Sequence, residues 1–168
     1  MKKFVGPLIN GVYGLEGMVH TELFEDEIII RSRYCSEQYV KKCAEYFVEM
    51  PETLKEKLLR ATAAFALDYV EQNGLDDPDI EWNFTKDSPV TDILKYIFPV
   101  VINIPQPKDI TEEDAPPCFD MELSCVWELE MGMEWVVRGE DALYVGAFEG
   151  HSPWDYVEQS DSNYVNRI

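Results

Sequence analysis

Apolar positions along this chain recur with two different periods, and the changes of period divide it into segments. Residues 36–49 place Tyr39, Val40, Cys43, Ala44, Phe47 and Val48 at helical spacing, behind a serine, Ser36, that can cap the helix. Pro51 stops that helix and suits the first turn of another. The second runs to about Gln72, with Leu54, Leu58, Ala61, Phe65 and Tyr69 along one face, and Asn73-Gly74 ends it. So short a connection predicts a helical hairpin over about residues 36–73.

Elsewhere the pattern favours strands. Met18 to Phe24 and Ile28 to Tyr34 read as a pair joined at Glu25-Asp26-Glu27. Ser88 to Phe98 reads as a short helix with Ser88 as cap and Pro89 first, and Val100 to Ile104 as a strand. Residues 105–117 hold four prolines and the acidic run Glu112-Glu113-Asp114, a linker. A β region follows over about 118–148. Phe119 to Leu129 is one strand, with a turn at Glu128 to Gly132. Met133 to Arg138 and Ala142 to Phe148 then form a hairpin turning at Gly139-Glu140-Asp141. Residues 1–15, rich in Gly and Pro, are expected to wrap the surface, and 150–168 to form a loosely attached tail. Strands, helices, then strands predict an α+β fold: one domain over residues 1–168, a mainly antiparallel sheet packed against the helical hairpin.

Charge changes the picture most. Thirty-three Asp and Glu stand against fourteen Lys and Arg, a net of −19 on 168 residues. The excess is uneven: residues 1–104 hold eleven basic and eighteen acidic groups, residues 105–168 three and fifteen. Such a balance argues against nucleic acid and anionic membranes as ligands and for a basic protein partner, or for a surface that only solubilises. With 12% aromatic residues, the acidity does not imply disorder. No 18-residue apolar run is present, and Gly6, Pro7, Asn10 and Gly11 interrupt any signal-like segment. The expected location is the cytoplasm, with Cys35, Cys43, Cys118 and Cys125 as reduced thiols.

Catalytic and metal signatures are sparse. His20 and His151 are the only histidines, and neither sits at ligand spacing. Asp76-Asp77-Pro78-Asp79 lacks the alternation and closing Glu of a calcium loop. Cys35 with His20 is the one thiol–imidazole pair worth naming. The expectation is no metal, no cofactor and no catalytic residue. The candidate site is instead a contact surface: Asp76, Asp77, Asp79 and Glu81 around Trp82, an aromatic anchor with an acidic rim. The plainer alternative is that Trp82 covers a helix end.

Cys125 to Asp155 carries a Trp, a Glu-Met-Gly turn, a strand ending in a Gly turn and a strand ending in Val-Gly with an acidic tail. It resembles the C-terminal motif of an uncharacterised bacterial domain family found near polymorphic toxin loci. Trp127, Glu130, Gly132, Val145 and Gly146 match, and Met131 stands where that family has His. The resemblance implies an immunity protein, which binds a toxin domain and blocks it by occlusion. Two rivals stay open: an acidic regulatory protein or DNA mimic that binds a nucleic-acid-binding protein, and a small carboxylate-dependent enzyme. A deep pocket holding a carboxyl with a strongly raised pKa would favour the enzyme.

Overall fold

A computed structural model describes residues 4–155, 157 and 160–168. The helical hairpin forms as the pattern predicts. The Ser36 hydroxyl accepts the Tyr39 amide at 3.2 Å and opens α1, Glu37–Val48. α2 is Glu52–Asn73, with Pro51 as its cap and Gly74 at φ 72° as its stop. Buried Tyr39, Val40, Cys43, Ala44 and Phe47 line the inner face of α1; Leu54, Leu58, Ala61, Phe65 and Ala66 line that of α2.

Both helices lie on one face of a single sheet. Its strands are β1 (Phe4–Val5), β2 (Ile9–Gly11), β3 (Gly14–Thr21), β4 (Asp26–Ser32), β5 (Ile97–Asn103), β6 (Cys118–Cys125), β7 (Glu128–Arg138) and β8 (Asp141–Ala147). The order is β1-β3-β4-β5-β6-β7-β8, and β2 also pairs β3. Every pairing is antiparallel except β4 with β5. A parallel pair needs a long crossover, and the helical hairpin lies within that connection. The fold is therefore α+β, with the mainly antiparallel sheet and hairpin that the sequence predicts.

The local differences have physical reasons. The N-terminal segment is not a surface wrap from residue 4 onward. β1 and β2 pair successive stretches of the β3 edge, and the Gly6 amide donates to the Met18 carbonyl at 3.0 Å between them. Pro7 keeps the two from joining. The short helix is a 3-10 helix, Val90–Tyr96, with Pro89 rather than Ser88 at its cap position; the Ser88 hydroxyl accepts the Thr85 amide at 2.9 Å instead. The turn between β6 and β7 comes at Val126-Trp127, earlier than the expected Glu128 to Gly132. Those latter residues belong to β7, where the register slips and Gly132 sits at φ 69°. A Cβ there would stand 2.6 Å from the Leu123 carbonyl, so the slip requires glycine. The β7–β8 hairpin turns at Gly139-Glu140, as expected.

The segment expected as a loose tail is anchored in its described part. Residues 156, 158 and 159, like 1–3, lie outside the described residues. Asn163 is fully buried beside β8; its side chain accepts from the Val145 amide at 3.3 Å and donates to the Leu143 carbonyl at 2.8 Å. Its amide thus behaves as one residue of an added strand. Tyr164 packs its ring on Phe65 and donates to Asp68 of α2.

Two fully buried tryptophans differ in one respect. The Trp135 indole donates to Thr62 Oγ1 at 2.9 Å, and Thr62 donates in turn to the Leu58 carbonyl. The Trp127 indole N–H has no partner among the described residues. Trp135→Phe loses a buried hydrogen bond, whereas Trp127→Phe removes a group whose desolvation is uncompensated. We expect Trp135→Phe to destabilise the protein more than Trp127→Phe, by roughly 1–3 kcal/mol, in paired urea denaturation curves.

Candidate functional site

Helices cover one face of the sheet, so the chemistry of the other face decides what meets solvent or a partner. Over β7 and β8 that face is closed by the chain after β8. Glu134, only 1% exposed, is the fastening point. Its carboxylate accepts the amides of Glu149, Gly150 and His151 at 3.2–3.3 Å, and His151 Nδ1 lies 2.6 Å from Oε1. The His151 ring stacks on Tyr144 with centroids 4.2 Å apart. Beyond it, Val157 packs on Val136 and Tyr144, and Arg138 donates to the Pro153 carbonyl. Gly146 permits the close crossing, since a Cβ would meet the Ser162 carbonyl at 2.6 Å.

Over β3, β4 and β5 the same face is open. Met18 and Ile29 are cross-strand partners and are 41% and 46% exposed. On β5, Phe98 and Val100 are 53% and 43% exposed. Acidic groups surround this strip: Glu25, Asp26 and Glu27 at the β3–β4 turn are exposed, and Glu122 lies on β6 opposite Val101. Leu129 and Met131, at the slip in β7, are also exposed, beside Glu128 and Glu130. By register, the β3–β4 turn and the β6–β7 turn lie at the same end of the sheet.

The candidate contact surface read from the sequence divides. Asp76, Asp79 and Glu81 are exposed and Asp77 is half-buried, its carboxylate accepting the Asp79 amide. Trp82 turns inward instead. Its ring lies 4.6 Å from Tyr96, 6.0 Å from Phe84 and 6.2 Å from Trp127, centroid to centroid. It seals the core beneath the loop and is not presented as an anchor. The exposed apolar residues that sequence reasoning missed come from strands. The run Ile28-Ile29-Ile30 shows the signal that could have found Ile29, because alternation buries its two neighbours and turns it out.

The upper part of the open face is polar. Arg31 Nε donates to Asn103 Oδ1 at 2.8 Å, and Asn103 Nδ2 donates to Asp120 Oδ1 at 2.9 Å, a row across β4, β5 and β6. Burial pushes the Asp120 carboxyl up to about 7; the Asn103 hydrogen bond works against this and nearby Glu134 adds to it. The thiol–imidazole pair does not form. His20 pairs with Glu27 at one end of the β3–β4 hairpin, and Cys35 follows Ser32 at the other. Burial also raises the Cys35 thiol to about 11, away from nucleophilic use. No group of three His, Cys, Asp or Glu side chains able to hold a metal ion occurs among the described residues. No helix among them is long and apolar enough to cross a membrane.

Residues 9–152 match the family described as a domain of unknown function, DUF6985. The chain belongs to that family. No curated protein and no solved structure matches it. The DUF6985 match takes in the open face of β3–β5, the Arg31–Asn103–Asp120 row and the Glu134–His151 fastening, and it stops before the chain recrosses to β8.

Asp120 has a consequence for stability. Its folded pKa lies above the ordinary aspartate value of 3.8, so between about pH 4 and 7 the folded chain keeps a proton that the unfolded chain releases. Its contribution to stability therefore falls as pH rises through that window. Asp120→Asn removes this contribution while keeping an acceptor for Asn103. We expect the variant to lose stability less steeply than the parent over that range and to exceed it at pH 8, by about 1–3 kcal/mol, in chemical denaturation at matched pH.

Proposed function

We propose that this chain is a protein-binding immunity protein that occludes a basic toxin domain. One observation carries the reading: a sheet face left open over β3–β5, with Met18, Ile29, Phe98 and Val100 exposed inside an acidic surround. Sheet faces bearing apolar side chains are ordinarily covered, and an exposed apolar patch with a polar rim marks an interaction surface. The rim's sign and the net charge of −19 select a basic partner, and the motif at Cys125 to Asp155 supplies the class. In this mechanism carboxylates at the β3–β4 turn steer a Lys- and Arg-rich surface onto the face. Ile29 and Phe98 then supply the desolvated anchors. This revises the contact surface expected from the sequence, with Asp76, Asp77, Asp79 and Glu81 contributing to the field and Trp82 to the core.

Stopped-flow kinetics against the product of the neighbouring reading frame, which this proposal expects to carry a basic toxin domain, tests it. The association rate should exceed the roughly 10⁵–10⁶ M⁻¹s⁻¹ of unsteered pairs and fall with added salt. Neutralising Glu25, Asp26 and Glu27 together should slow association. Phe98→Ala should mainly speed dissociation, by about tenfold or more. Failure to bind that domain removes the immunity reading. Binding with a salt-independent association rate keeps occlusion and removes steering.

One observation favours a second reading. Asp120, held by Asn103 in the row from Arg31 and with its carboxyl pushed up by burial, is the group a small carboxylate-dependent enzyme would use, though it lines none of the cavities described. That reading requires a turnover whose pH profile breaks near 7 and which Asp120→Asn abolishes; a turnover unaffected by Asp120→Asn removes it.

A further inference from the structure

A cavity of about 340 Å³ opens where β4 and β5 end, lined by Tyr13, Arg31, Ser32, Arg33, Asn103, Ile104 and Pro105. β4 and β5 are the parallel pair, and both present their carboxyl ends here. The backbone beside the cavity is fixed there, the Ile104 amide donating to the Arg31 carbonyl at 2.9 Å and the Ser32 hydroxyl to the Ile104 carbonyl at 2.6 Å.

Its charge is unusual for this chain. Acidic groups outnumber basic ones by more than two to one, and Lys41, Lys55, Arg60, Lys95, Lys108 and Arg167 each lie in an ion pair. Arg31 and Arg33, both lining the cavity, have no carboxylate at ion-pair distance among the described residues. Glu16 faces Arg31 across the β3–β4 pair in register without closing a salt bridge to it. Neither guanidinium closes an ion pair with a described carboxylate, and the acid whose charge acts on Arg31, Asp120, is held one residue away through Asn103.

Arg31 is also held in place. Its Nε is committed to Asn103, Asn103 is fixed by Asp120, and its guanidinium lies 5.5 Å from the Tyr13 ring centroid. Its two terminal nitrogens make no hydrogen bond to the described residues. A guanidinium has five N–H donors in a planar fork, so one is spent on orientation and four remain for a ligand. Arg31 is partly buried, which limits screening of whatever it binds; Arg33 is exposed, its guanidinium 5.5 Å from the Tyr34 ring centroid.

We infer that this cavity is a binding site for a small oxyanion, a phosphate or carboxylate group gripped by the Arg31 fork and closed over by Arg33. The inference is independent of the protein-binding reading, which uses the other end of the same face. Arg31–Asn103–Asp120 is the positioning row, and the Tyr13 ring lies against the guanidinium.

The test is a ¹H–¹⁵N NMR titration of the full chain with inorganic phosphate and, separately, with sodium acetate, at matched ionic strength. The resonances to follow are Arg31 Nε–H and the Asn103 side-chain amide. A saturable shift confined to these groups and the cavity lining is the expected result. Tighter saturation by phosphate than by acetate assigns a phosphate ligand, and the reverse assigns a carboxylate. Arg33→Met, at an exposed position that leaves the fold intact, should weaken binding about tenfold, and Arg31→Lys, which keeps charge but loses the fork, by at least as much. Shifts linear in concentration for both anions overturn the inference. So does saturable binding that Arg33→Met leaves unchanged.

Discussion

A sheet has two faces, and this chain has a single helical hairpin with which to cover them. That hairpin lies within the β4–β5 connection, the crossover that a parallel pair requires. Once both helices lie on one side, the other side must be closed by something else or stay wet. The chain after β8 closes the part over β7 and β8, fastened at Glu134. The part over β3–β5 is left to solvent, and the candidate chemistry lies there: apolar strip, polar row and cationic cavity.

Electrostatics then sorts that open region. At one end carboxylates of the β3–β4 turn surround exposed Ile29 and Phe98. At the other, two arginines line a cavity, and neither closes an ion pair with a carboxylate of the described residues. Asp120 lies at the arginine end, level with Arg31 and Asn103, and feels Glu134 from the closed side. Partial burial of Asp120 at the end of the row raises its carboxyl towards neutrality.

Much of the fold was legible in the sequence. Ser36, Pro51 and Asn73-Gly74 are local punctuation that acts regardless of tertiary context, so the hairpin was placed within a residue or two. The β7–β8 hairpin followed from alternation and a Gly-containing turn. The misreadings needed long-range information. β1 and β2 are two and three residues long and exist only because β3 offers an edge. Gly132 reads as turn chemistry along the sequence, whereas its positive φ serves a register slip inside a strand. Trp82 sits in an acidic stretch that reads as surface, yet Tyr96 and Trp127 draw it inward from distant sequence. The open face could not be read from any one segment, since which side of a strand is covered depends on where the helices are sent. Arg31 and Arg33 were invisible for a related reason: whether a cation closes an ion pair is a property of three-dimensional neighbourhood, not of composition.

Both margins of the sheet are spoken for. Along β3 the outer edge is occupied by two fragments that Pro7 holds apart, and along β8 the buried amide of Asn163 takes up backbone groups of Leu143 and Val145. Among the described residues neither margin offers the long, regular row of unpaired amides and carbonyls that an incoming strand would need. Growth by strand addition, whether into a dimer, a fibre or a peptide complex, is thereby discouraged. A partner of this molecule is obliged to read side chains rather than backbone, and its selectivity must be written in shape and charge.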